Sequence, residues 1–138
     1  MNREPAPSDP LHIGTLRPGE AAELCAAAHE SQWLCLRADL LGCVDKQGLL
    51  EHLARDLGFP GWFGRNWDAL SDCLRDLEWH PAAEGYLLVL EHADGLAASA
   101  PDVLEVALDI LRDAAEDWAS RGRPMLVYVD LAARGLSG

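Results

Sequence analysis

Tyr86-Leu87-Leu88-Val89-Leu90 is a continuous apolar run with no polar alternation. A run of this length predicts a β-strand covered on both faces, the pattern of a central strand in a parallel sheet. Met125-Leu126-Val127-Tyr128-Val129 has the same character, and Trp33-Leu34-Cys35-Leu36 is a shorter version of it. The segments between them read as helices. After the first run, Asp45 offers an N-cap, Leu49, Leu50, Leu53 and Leu57 recur at helical spacing, and Gly58 suits the left-handed residue that ends a helix. A second helix is predicted over 66–77. Residues 92–101 read as a loop or a frayed helical turn. Residues 102–120 form a long amphipathic pattern with Val103, Leu104, Ala107, Leu108, Leu111, Ala115 and Trp118 on one side, stopped by Gly122. The fold class is therefore α/β: a small three-stranded parallel sheet packed with helices and joined by right-handed crossovers.

Working outward, the pattern predicts three parts. Residues 1–30 hold a tail containing Pro5, Pro7 and Pro10, then an added helix that starts near Pro18 and runs through alanine-rich sequence to His29. Residues 31–132 hold the main domain, and 133–138 a short tail. A chain of 138 residues is the length of one domain. It opens on MNREPAPSDP, which has no apolar run of the signal-peptide kind. Nothing in it approaches the roughly 20 apolar residues needed to span a bilayer. Cys25, Cys35, Cys43 and Cys73 form no C-x-x-C pair, so the expectation is no metal, and four reduced, buried thiols in a cytoplasmic protein.

The 23 acidic against 11 basic residues give a formal net charge of −12. That balance argues against nucleic acid and anionic membrane as partners, because both are held by clustered Lys and Arg. It is compatible with two readings: an acidic surface that keeps the chain dispersed, or one that steers a basic protein toward it.

Residues 58–77 carry the strongest functional signal. On a helical wheel Leu70, Cys73, Leu74 and Leu77 share one face, so the opposite face shows Asp68, Asp72, Arg75 and Asp76. Asn66 is a good N-cap. Asp68 in the first turn favours the helix dipole and needs no function to explain it. Asp72 lies past that turn beside a like charge, an arrangement that costs a helix about 0.2–0.5 kcal/mol. An acidic helix face is also common as a merely solvated face. The loop before it, Gly58-Phe59-Pro60-Gly61-Trp62-Phe63-Gly64, is turn-rich, which places at least one of the Trp62 and Phe63 rings outward, as an interface anchor would be. The opposing reading folds both rings onto the core, more readily for Phe63, which has no polar handle.

Asp68 and Asp72, about 5–6 Å apart at Cβ on one helix, could suggest a glycosidase pair, but such pairs flank a cleft. There is no P-loop, H-E-x-x-H or G-x-S-x-G motif. Gly58, Gly61 and Gly64 do not match a dinucleotide fingerprint. The five histidines are scattered and read as ordinary surface or boundary residues. The chain is read as a non-enzyme without cofactor.

The stretch Trp62-Phe63-Gly64-Arg65-Asn66-Trp67-Asp68-Ala69-Leu70-Ser71-Asp72-Cys73-Leu74 resembles the signature of the barstar family: aromatic, aromatic, Gly, any, Asn, any, Asp, Ala, Leu, any, Asp, Cys, Leu. The likeness extends more weakly over about 33–131. It implies a barstar-like fold and a stoichiometric inhibitor of a basic, secreted, guanyl-specific type of ribonuclease, or of a nuclease toxin domain, with an immunity role. The implied partner surface is Trp62, Phe63, Gly64, Asn66, Asp68, Ser71, Asp72 and Asp76. Within it, Asp72 would enter the nuclease's phosphate site and Asp68 would meet another basic side chain. The sequence departs from the family's type member at Ser71, where that protein has tryptophan, and at Leu77, where it has another aromatic. These departures leave open an alternative: a barstar-like interaction module whose partner is regulatory rather than a nuclease. The oligomeric state is not readable from sequence.

Overall fold

A computed structural model describes residues 10–59, 66–76 and 84–131. In chain order the elements are β1 (Leu11–Gly14), α1 (Glu20–Glu30), β2 (Leu34–Asp39), α2 (Lys46–Leu57), α3 (Trp67–Asp76), β3 (Tyr86–Glu91), α4 (Asp94–Ser99), α5 (Pro101–Ser120) and β4 (Met125–Asp130). One sheet holds the four strands in the order β1-β4-β3-β2, with every pairing parallel.

The expectation of three strands is corrected to four. The added strand, β1, is four residues long with Leu11 as its one buried side chain, too short to show a periodicity. It exists because β4 offers it an edge. The Val127 N–H donates to the Pro10 carbonyl at 2.9 Å and the Leu131 N–H to the Gly14 carbonyl at 3.1 Å, closing the ladder at both ends. The segment before the first predicted strand therefore supplies a strand as well as a helix.

The central strand matches its reading. Tyr86 through Leu90 are all buried, with β2 on one side and β4 on the other. On one sheet face Leu36, Leu88, Leu90, Val127 and Val129 meet α2, α3 and α5 in the main core. On the other face Leu87 and Val89 meet Ala21 and Ala28 of α1 in a smaller cluster. Because α1 reaches β2 and β3, β4 alternates, with Met125, Val127 and Val129 buried and the residues between them half-buried.

Local chemistry fixes the ends of α2 as predicted. Asp45 sits in extended backbone and its carboxylate accepts the Gly48 N–H at 2.8 Å, while Gly58 closes the helix at φ 73°, where a side chain would be strained. A second glycine serves close approach. A Cβ on Gly85 would lie 2.6 Å from Cε2 of Trp33, whose ring crosses the start of β3. Where a loop or a frayed helical turn was expected, Asp94–Ser99 form the short helix α4, and Pro101 opens α5.

The cysteine reading is also corrected. Cys25 and Cys35 are joined in a disulfide with 5.4 Å between Cα atoms, and only Cys43 and Cys73 are buried free thiols. The tight turn between α1 and β2 lays the helix back along the strand and brings two residues ten apart face to face, a consequence of tertiary structure rather than of motif spacing. Burial pushes both free thiols up, that of Cys73 to about 11 with help from the Asp72 and Asp76 charges. Among the described residues, no helix is long and apolar enough to cross a membrane.

Candidate partner-binding helix

α3 is built as the wheel predicted. Leu70, Cys73 and Leu74 are 0 % exposed and form its inner face. Asp68 and Asp72 stand exposed one turn apart on the outer face, with Ser71 and Asp76 half-buried at its margins. Asn66 caps the helix: its side-chain Oδ1 accepts the Ala69 N–H at 2.8 Å and its carbonyl accepts the Leu70 N–H at 3.0 Å. Of the predicted surface, the structure thus brings Asp68, Ser71, Asp72 and Asp76 together on one helix, with Asn66 as its cap. Trp62, Phe63 and Gly64 lie outside the described residues, as does Leu77.

Both ends of α3 are tied to neighbouring elements by residues that sequence reading did not single out for this purpose. At its start, the Lys46 ammonium lies 5.1 Å from the centroid of the Trp67 ring, joining the first turns of α2 and α3. At its end, the Trp118 indole N–H donates to the Leu74 carbonyl at 2.8 Å in a buried seam. Arg121 donates to the Arg75 carbonyl at 2.6 Å while its guanidinium stacks 3.7 Å from the Trp118 ring and pairs with Asp117. The carbonyls of a helix's last turn need partners from outside, and Trp118 of α5 and the Arg121 that follows it supply them. Trp118 was legible as a core residue of the long helix. The usable signal was its N–H, which requires an acceptor when the ring is buried.

The carboxylates of Asp68 and Asp72 are therefore carried on a backbone fixed at both ends. Such an arrangement can present two negative groups, about one helical turn apart, to a cationic cleft with little ordering cost on binding.

A second group of ionisable side chains gathers where the strands end. The His92 Nδ1 lies 2.8 Å from Asp39 Oδ1, and its backbone takes the left-handed value φ 61°. Asp130 accepts the Leu16 N–H at 3.0 Å and faces the His92 N–H at 3.4 Å, so one carboxylate bridges the ends of β1, β3 and β4. His52 Nδ1 lies 2.9 Å from the Asp39 carbonyl. The Leu41 N–H and His92 hold the Asp39 carboxyl below its ordinary range, and Asp39 raises His92. Both ends of the His92–Asp39 pair are about half exposed and His52 is half-buried, so the two histidines lie at the surface and boundary while holding these contacts.

The structure defines the class first: a single parallel sheet covered by helices, one of which is a clamped acidic helix facing solvent. The model of the barstar family, described as barnase inhibitor, matches residues 33–130, which take in β2 to β4 and α2 to α5. The chain belongs to the barstar family. β1 and α1 precede the matched residues. Among curated proteins, none matches the chain at a significant level.

Proposed function

We propose that this protein is a stoichiometric inhibitor of a basic, guanyl-specific type of ribonuclease, acting by placing α3 and the loop before it in the nuclease's active site. The observation that carries the reading is the exposed Asp68–Asp72 pair on a helix whose inner face is fully buried and whose ends are tied down. A nuclease active site must hold a phosphate among cationic groups, and a carboxylate on a rigid support can take the phosphate's place there. Desolvated charge pairs of this kind are hot spots in protein complexes, and the barnase–barstar pair is the reference case for their size. Asp72 is the main anchor and Asp68 its partner. Asp76 and Ser71 form the rim, Trp62, Phe63 and Gly64 the packing contact, and Asn66 holds the helix start. The net charge of −12 supports steering toward a basic partner.

The test is calorimetric titration of a basic guanyl-specific ribonuclease with the parent chain and with Asp72→Ala. The substitution should weaken binding by at least about 2 kcal/mol, the hot-spot threshold. Equal affinity of the two proteins would dismiss the plug. Ser71, small where the family's type member carries tryptophan, favours a second reading in which the same helix serves a regulatory partner. On that reading no complex with the ribonuclease forms at all.

A further inference from the structure

α1 is held to the body of the protein by little fully buried side-chain surface. Two of its 11 residues, Ala21 and Ala28, are buried, and both have the smallest side chain that can pack. By contrast α2 buries four leucines. Beside α1 an open apolar groove of about 190 Å³ runs between Leu24, Ala27, Trp33, Leu87 and Tyr128, so the helix does not fill the sheet face it lies on. Its N-cap residue, Gly19, has no side chain to cap it. Against this weak packing stands one covalent link: the Cys25 sulfur in the middle of α1 is bonded to the Cys35 sulfur on β2, an edge strand of the sheet. Both cysteines are half-buried rather than sealed in the core.

We propose that the Cys25–Cys35 cystine is a redox-modifiable fastener that holds α1 on the sheet, and that a dithiol reductant opens it. In the exchange a reductant thiolate attacks one of the two sulfurs and breaks the sulfur–sulfur bond, giving a mixed disulfide. The second thiolate of the reductant then displaces the protein sulfur. Cys25 and Cys35 end as two thiols carrying two added protons, and the reductant ends as its own disulfide, so two electrons have passed to the protein. Once reduced, α1 leaves the sheet and uncovers Trp33, Leu87 and Val89. The effect is local. β1 keeps its ladder to β4, and the helices of the main core pack on the opposite sheet face. Residue 25 lies before the family match and residue 35 within it, so the fastener joins this chain's own N-terminal element to the barstar-like body.

The experiment uses the full chain before and after treatment with dithiothreitol. Alkylation of the denatured, unreduced protein should label Cys43 and Cys73 and spare Cys25 and Cys35, whereas label on either of the latter overturns the proposal. Hydrogen exchange should then show amides of 20–30 exchanging at least about tenfold faster after reduction, while those of α2, α3 and α5 do not change. A Cys25→Ser/Cys35→Ser double variant should give the reduced pattern without reductant. Unchanged exchange in α1, or loosening of the whole core together with it, would each refute a local fastener.

Discussion

Replacing Trp118 with phenylalanine keeps an aromatic ring against Tyr86 but removes the indole N–H that donates to the Leu74 carbonyl at 2.8 Å. Trp118 is 6 % exposed and the seam between α5 and α3 is buried, so water does not easily replace the lost donor. Stranding a buried acceptor costs about 1–3 kcal/mol. The smaller ring also leaves a void beside Arg121, whose guanidinium stacks on the indole at 3.7 Å, and voids add to the cost. Together these place the loss at about 2–3 kcal/mol of unfolding free energy. Urea denaturation measures it. Hydrogen exchange locates it, because the damage should fall first on α3, with its amides losing more protection than those of α2. If Trp118→Phe costs under about 0.5 kcal/mol, in the range of surface substitutions, or if α2 and α3 loosen equally, then α5 does not fix the end of the acidic helix.

Asn66→Ala should cost about 1 kcal/mol in urea denaturation through loss of the N-cap, and Asn66→Asp should restore most of it. Gly85→Ala forces a methyl to within 2.6 Å of the Trp33 ring and should destabilise by about 1–3 kcal/mol, seen as a lower urea midpoint. The His92–Asp39 pair makes stability depend on pH in two directions. His92 is raised from 6.5, so its contribution is complete below 6.5 and fades as pH climbs through the raised value. Asp39 is lowered from 3.8, so its contribution is complete above 3.8 and is lost as pH falls through the lowered value. The stability difference between the parent and His92→Asn should therefore be greatest between those two limits; solvent screening keeps it below about 1 kcal/mol. A difference that grows above pH 8 would contradict this assignment.

The parts of the fold that could be read from sequence are those whose cause is local. Tyr86 to Leu90 announce a doubly covered strand through their composition, and Asp45 and Gly58 mark the ends of α2 through capping chemistry. The faces of α3 follow from the spacing of Leu70, Cys73 and Leu74 against Asp68 and Asp72, which is why half of the candidate surface was legible as geometry before any family resemblance was invoked. The parts that could not be read depend on partners far away in the chain. β1 is a strand because β4, more than a hundred residues later, offers it an edge. The Trp118–Leu74 and Arg121–Arg75 bonds span 44 and 46 residues, and the His92–Asp39 pair spans 53. The Cys25–Cys35 bond depends on how α1 folds back on β2, and spacing alone does not distinguish it from two buried thiols.

The central claim, that this barstar-family chain blocks a ribonuclease, is tested most directly by titrating the activity of a purified basic guanyl-specific ribonuclease with the full chain at a fixed enzyme concentration. Activity should fall linearly and reach zero at one chain per enzyme. Activity that persists undiminished at a large molar excess of the chain would contradict it.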